Sequence, residues 1–88
     1  MDLEVIRQQI DQVDQELVGL LEKRMTLVDQ VATFKKTSGK PVFDSKREGI
    51  IFEKVRNRVE DKQYQEPIVA TFSDILKRSR DYQEQKLL

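Results

Sequence analysis

The side chains available for chemistry are restricted, because the sequence contains no histidine and no cysteine. Disulfides, zinc sites built on these residues, Cys or Ser–His nucleophiles and imidazole acid–base catalysis are therefore excluded. Any chemistry must use Arg, Lys, Asp, Glu, Ser and Gln. Helical projection at about 100° per residue places several such side chains on otherwise apolar faces. These inward-directed polar residues are Arg24, Lys35, Glu48, Ser79 and Gln83. Because an unpaired buried charge is very costly, we expect them to meet each other or a ligand.

The spacing of the cations on the first helix indicates a small anion with more than one charge. Lys35 follows Arg24 by three helical turns, so both point the same way about 16 Å apart. Guanidinium groups bind carboxylates through paired hydrogen bonds. Arg7 lies toward the edge of the same stripe, about 42 Å from Lys35, and cannot reach that ligand within one chain. An antiparallel second copy could bring its own Arg7 alongside the other two cations.

Each of these residues also has a purely structural interpretation. Arg24 could extend its stem over the core and reach water. Lys35 lies near the helix C-terminus, where a cation is favourable without any ligand. Ser45-x-x-Glu48 matches a capping box, and the polar residues of the third helix could mark a fraying end. All of these residues together on inward faces favour a binding site.

Three helices are predicted to position these side chains. Apolar residues of the first recur at spacings of three and four over roughly nine turns, until Gly39 and Pro41 end the pattern. Asp44 or Ser45 can cap the second helix, and Pro67 fits the first turn of the third. No strand alternation is present. The sequence therefore predicts one all-α domain over residues 1–88, with helices at about 3–36, 45–61 and 67–86.

Composition narrows the functional class. With 88 residues, 16 Lys and Arg balance 16 Asp and Glu, so no overall field attracts nucleic acid or an anionic membrane. No apolar run reaches the roughly 20 residues of a membrane span, and the N-terminus lacks signal-peptide features. We expect a cytoplasmic protein that binds neither nucleic acid nor membrane.

The length of the first helix predicts a second chain. A helix of about 34 residues is about 50 Å long, whereas the other two would each cover only about 25–30 Å of it. Neither an end-to-end nor a stacked arrangement of the shorter helices covers the whole apolar stripe, and small cores rarely supply enough stability alone. An intertwined helical homodimer is therefore expected.

An ordered set of motifs resembles the all-helical bacterial chorismate mutases, the type II family. The motifs are Arg7-x-x-Ile10-Asp11-x-x-Asp14, Leu20-Leu21-x-x-Arg24, Lys35, Pro41-Val42-x-Asp44-x-x-Arg47-Glu48 and Ser79-x-x-x-Gln83. The resemblance covers nearly the whole chain, and the loop between the second and third helices is about one residue shorter. Asp11 and Asp14 fit the pattern and are interpreted as structural.

The resemblance implies conversion of chorismate to prephenate, an intramolecular Claisen rearrangement at the branch toward phenylalanine and tyrosine. It also implies an intertwined homodimer with two active sites. By matching position, Arg24 and the partner's Arg7 bind the two substrate carboxylates, with assistance from Ser79. Each site is then completed by an arginine from the partner's long helix.

The remaining roles follow from the same resemblance. Lys35 and Gln83 are the implied catalytic residues, which donate hydrogen bonds to the ether oxygen. Glu48 accepts from the ring hydroxyl, and Asp44 and Arg47 complete the pocket. The rearrangement needs no nucleophile, metal or cofactor, which agrees with the missing histidine and cysteine. The protein must hold the reactive conformer and stabilise charge on the ether oxygen.

Two other functions are left open by the sequence. An isochorismate–pyruvate lyase on the same fold would have a similar cationic pocket, although Asp44 and Glu48 favour the mutase because a hydroxyl acceptor matches chorismate. A non-catalytic dimerisation or regulatory module would explain the long helix but not the inward Arg24, Glu48 and Gln83. Docking onto another enzyme of the pathway is also open, whereas feedback control is not expected in so short a chain.

Overall fold

The computed structural model describes residues 1–88 and is predominantly helical, with α1 at Leu3–Ser38, α2 at Ser45–Arg58 and α3 at Gln65–Leu87. A short 3-10 turn, Lys62–Tyr64, precedes α3. The predicted all-α architecture with a very long first helix is confirmed. None of the helices has the length and apolar composition that crossing a membrane requires.

Both ends of α1 are capped by residues adjacent to the helix, Asp2 and Gly39. The Asp2 carboxylate accepts a hydrogen bond of 2.9 Å from the Glu4 amide, which satisfies one of the unpaired N–H groups of the first turn. Gly39 follows the last turn with φ 75°, a left-handed conformation that suits glycine, and its N–H donates to the Lys35 carbonyl. The helix ends two residues later than expected because nothing before Gly39 interrupts it.

The segment between α2 and α3 differs from the sequence-based expectation. Asp44 is the N-cap of α2, where its carboxylate accepts from the Arg47 amide at 2.9 Å. The helix ends at Arg58 and Val59 is extended, so α2 is three residues shorter than predicted. The reason lies just beyond, where the Asp61 carboxylate accepts from the Gln63 amide and starts the 3-10 turn. That turn leads directly into α3, which begins two residues earlier than expected.

α3 packs against both other helices, whereas α1 and α2 have no Cα atoms within 8 Å of each other. Arg24 of α1 contacts Ser79, and Asp29 contacts Tyr82 and Lys86 further along α3. The two helices therefore run in the same direction where they meet. This arrangement leaves a groove between α1 and α2, with α3 as its floor. The buried apolar core beside it consists of Val28, Ala32, Val42, Val55 and Leu76.

The N-terminal half of α1 has no partner within the chain. The molecule is 54 Å long but only 24 × 15 Å across, and residues 3–20 are exposed apart from a half-buried Ile6. The exposed stripe includes Leu3, Ile10, Val13, Leu17 and Leu20. Burying one such side chain contributes about 1.5–3 kcal/mol, so covering the stripe would stabilise the protein considerably.

Candidate active site

The groove between α1 and α2 is a cavity of about 320 Å³ that gathers most of the predicted site residues. It draws side chains from α1, from the loop before α2, from the first turns of α2 and from the second half of α3. Those predicted from the sequence are Arg24, Lys35, Asp44, Arg47, Glu48, Ser79 and Gln83. The structure therefore brings residues separated by up to 59 positions in the chain to one surface.

Arg24 is held at the groove by α3. Its Nη1 donates to the Ser79 hydroxyl at 2.6 Å, and that hydroxyl in turn donates to the Ile75 carbonyl at 2.9 Å. Burial lowers the pKa of Arg24, and the nearby Arg47 guanidinium lowers it further. An arginine stays charged at neutral pH nonetheless. The remaining N–H donors of Arg24 can bind an anion. The purely structural interpretation, in which Arg24 only extends over the core to reach water, needs no such donors at the groove.

Lys35 connects the end of α1 to the loop that leads into α2. Its Nζ donates to the carbonyl oxygen of Val42 at 2.6 Å, and Val42 is itself buried. The ammonium has three donors, so two remain for a ligand. Its position is therefore determined by tertiary structure and not only by the favourable C-terminal dipole of α1.

Gln83 is a buried amide that the protein satisfies only in part. Its Nε2 donates to the Ser79 carbonyl at 3.2 Å, while Oε1 is the one buried side-chain polar atom without a hydrogen-bond partner. Buried polar atoms are nearly always paired, so this oxygen is available to accept a hydrogen bond from a ligand in the groove. The second N–H of Nε2 is a further donor available at this position.

Glu48 reaches across the groove and does not fold back onto its own helix. Both of its oxygens accept from Nη1 of Arg80, at 2.5 and 2.6 Å. The capping-box interpretation of Glu48 is wrong, because Asp44 is the N-cap of α2 and the Glu48 carboxylate pairs with α3. One carboxylate oxygen of Asp44 accepts the capping hydrogen bond. The neighbouring Arg47 forms no ion pair within the chain.

Arg80 is the groove residue that the sequence analysis missed. Besides its pairing with Glu48, its guanidinium carbon lies 5.4 Å from the centre of the Phe43 ring, a cation–π distance. One signal was available, since Arg80 precedes Gln83 by three residues and so lies on a neighbouring part of the same helical face. The spacing does not predict that Arg80 pairs with Glu48 on α2.

Arg7 does not line the groove. It is exposed on the N-terminal half of α1, about 25 Å along the axis from Arg24.

The groove carries a net positive charge. Its four cationic side chains, Arg24, Lys35, Arg47 and Arg80, outnumber the two carboxylates of Asp44 and Glu48, which leaves an excess of two positive charges. A small molecule with two negative charges would balance them.

The fold and the groove together define an all-helical protein with a cationic cleft suited to a small anionic ligand. The family model described as chorismate mutase type II matches residues 6–84. The chain therefore belongs to the type II chorismate mutase family, as its motifs predicted, and is an isomerase of that class. It is 29% identical over 83 residues to the chorismate mutase of Methanocaldococcus jannaschii, and the alignment covers 93% of this chain and 84% of that relative. No solved structure matches the chain significantly.

Proposed function

We propose that the protein converts chorismate to prephenate in the groove between α1 and α2. The observation that carries this proposal is the convergence of Arg24, Lys35, Glu48 and Gln83, from all three helices, on one cavity. Family membership and the name of the archaeal relative support it. The reaction would serve the synthesis of phenylalanine and tyrosine in the cytoplasm.

The charge of the groove supports a substrate with two carboxylates. Its excess of two positive charges matches such a dianion, and a partly buried site screens these charges less than bulk water does. Arg24 and Ser79 would bind one carboxylate, with the guanidinium already oriented by the serine hydroxyl. The second carboxylate is proposed to bind the partner's Arg7.

The direction of the helices suggests how the substrate is oriented. Because α1 and α3 run the same way, the step from Arg24 to Lys35 on one helix parallels the step from Ser79 to Gln83 on the other. The carboxylate-binding pair therefore lies toward one end of the groove, and the two proposed ether-oxygen donors lie toward the other. The substrate would lie along the groove with its ether oxygen between Lys35 and Gln83.

In the proposed rearrangement, the bond from the ether oxygen to carbon breaks as a carbon–carbon bond forms within the same molecule. The electrons move within the substrate, so no nucleophile, proton transfer or cofactor takes part. The protein would act by holding the compact reactive conformer and by donating hydrogen bonds to the oxygen as negative charge develops on it. Lys35 supplies a charged donor, and Gln83 supplies a neutral donor that does not titrate.

The carboxylate of Glu48 would accept a hydrogen bond from the ring hydroxyl. Each of its oxygens has two lone pairs and uses one on Arg80, so acceptor capacity remains. Asp44 and Arg47 lie beside it at the start of α2 and would complete the pocket. Asp44 contributes indirectly as well, because its cap fixes the first turn that carries both other residues.

The proposed assembly is an intertwined homodimer in which the partner's α1 covers a second cavity. This cavity, of about 480 Å³, adjoins Arg24 and Arg47 and has an apolar floor with further cations at Lys54 and Arg58. The uncovered N-terminal half of α1 is apolar on one stripe and predominantly acidic elsewhere. Its acidic residues are Asp2, Glu4, Asp11, Asp14 and Glu16. Complementary charge and apolar surface therefore favour a second copy as the occupant, with its Arg7 near the groove.

Binding of a bicyclic transition-state analogue tests this function without relying on turnover. The analogue should raise the melting temperature of the wild-type protein, because a ligand that binds only the folded state stabilises it. Arg24→Met should abolish the increase, whereas the matched surface control Arg56→Met should retain it. A non-catalytic dimerisation module would show no increase in any variant. Release of pyruvate from isochorismate would instead identify the lyase.

A further inference from the structure

Arg80 and Glu48 form the closest ion pair of the protein, and it lies in the groove. The pair joins α3 to α2, and the side chains are 30% and 17% exposed respectively. The other ion pairs join residues that are considerably more exposed. Partly buried pairs with good geometry are held much more firmly than pairs in open solvent.

The position of the Glu48 carboxylate depends on Arg80. No other cation lies within 4 Å of Glu48, although Lys35 and Arg47 line the same groove. A glutamate side chain on a helix has several rotamers of similar energy, and pairing of both oxygens with a single nitrogen selects one of them. The guanidinium also lies within cation–π distance of the Phe43 ring, a second contact that restrains Arg80.

We propose that Arg80 is a positioning residue, which holds the Glu48 carboxylate toward the substrate hydroxyl and thereby makes the enzyme selective for a ring that carries that hydroxyl. This inference rests on the proposed function. Each carboxylate oxygen has two lone pairs and uses one on Arg80, so each keeps acceptor capacity for the substrate. It acts through Glu48, in contrast to Arg24, which faces the ligand directly.

A double-mutant cycle separates this role from direct substrate binding. Arg80→Met, Glu48→Gln and the double variant are compared by kcat/KM for chorismate, with Arg78→Met as a control on an exposed arginine of the same helix. Loss of a hydrogen bond to a charged group predicts a decrease of roughly tenfold to a hundredfold for each single variant. The double variant should decrease no further than the more impaired single variant, because both changes remove the same interaction. Arg80→Lys should recover part of the activity.

A second substrate gives a readout that general structural damage would not change. Wild-type protein should prefer chorismate strongly over an analogue whose ring hydroxyl is methylated, and Arg80→Met should reduce that preference. Multiplicative losses in the double variant, or equal losses for both substrates, would overturn the inference and leave the proposed function intact. Wild-type protein that turns over neither substrate would overturn both.

Discussion

Lys35 and Val42 are joined by a hydrogen bond of 2.6 Å between the lysine Nζ and the main-chain carbonyl oxygen. The bond connects the last turn of α1 to the loop that leads into α2, and Val42 is one of the few buried residues of the chain. The ammonium is therefore fixed at the groove before any ligand binds. Such preorganised donors are effective in catalysis because they do not need to reorient as charge develops.

Lys35→Ala is expected to lower kcat by several orders of magnitude while the protein stays folded. Its main proposed partner is charge that develops only in the transition state, so kcat should decrease more than binding weakens. Steady-state kinetics with chorismate measure this effect. The adjacent and exposed Lys36→Ala is the matched control and should retain wild-type activity. A Lys35→Ala enzyme within tenfold of wild type would remove Lys35 from the mechanism.

Gln83→Glu is expected to make the enzymatic activity pH-dependent, with higher activity at acid pH. A glutamate can donate to the ether oxygen only when it is protonated, so activity should decrease as the pH rises through the pKa of the new carboxyl. The measurement is the pH dependence of kcat for this variant and for the exposed control Gln85→Glu. A flat profile for Gln83→Glu would show that residue 83 does not face the reacting oxygen.

Mixing two inactive variants is expected to restore activity if each site uses Arg7 from the partner. Arg7→Ala and Lys35→Ala homodimers should each be nearly inactive, because both changes affect every site. Unfolding and refolding them together makes half of the dimers mixed, and one of the two sites in each mixed dimer is intact. Activity should recover to roughly a quarter of wild type. The separation of about 42 Å along α1 prevents rescue within one chain. Verified mixed dimers without recovery would contradict the shared site.

Asp29 is expected to link stability to acid pH. Its carboxylate accepts from the Tyr82 hydroxyl at 2.6 Å and pairs with Lys86 at 3.1 Å. These contacts, that of Tyr82 foremost, lower the pKa of Asp29 below its ordinary 3.8. The resulting stabilisation is present above that value and is lost as the pH decreases through the lower pKa of the folded state.

Asp29→Asn should therefore lower the melting temperature by a few degrees at neutral pH and leave it unchanged in strong acid. The effect should be modest, because these groups lie near the surface. The exposed Asp74→Asn, whose side chain has no ion pair, is the control and should show no such trend. A difference between wild type and Asp29→Asn that persists at the lowest pH would rule out this linkage.

The helices and most groove residues could be predicted because the relevant pattern lies within each helix. Arg24 and Lys35 share the face of α1 that its apolar period defines, and Gln83 follows Ser79 by one turn. The second half of α1 and the apolar face of α3 pack against each other, so the polar groups on these faces converge. The end of α2 was missed because Asp61 starts a separate turn, a local competition that apolar spacing does not reveal.

The role of Arg80 depends on how two helices cross and could not be predicted from either one. Glu48 lies 32 residues from it in the chain, and local spacing suggested a capping box with Ser45, whereas the N-cap is Asp44. The homodimer and the donation of Arg7 stay predictions. The single chain supports them through its uncovered stripe on α1 and the cationic cavity beside Arg24.

Incubation of the purified protein with chorismate, with the products identified by NMR, tests the central claim most directly. We predict that chorismate is consumed, that prephenate is the sole product, and that no pyruvate is released. The Lys35→Ala protein, measured at the same concentration, should convert chorismate several orders of magnitude more slowly than the wild type. If chorismate disappears only at the uncatalysed rate in the presence of folded wild-type protein, the assignment of this groove as a chorismate mutase site is contradicted.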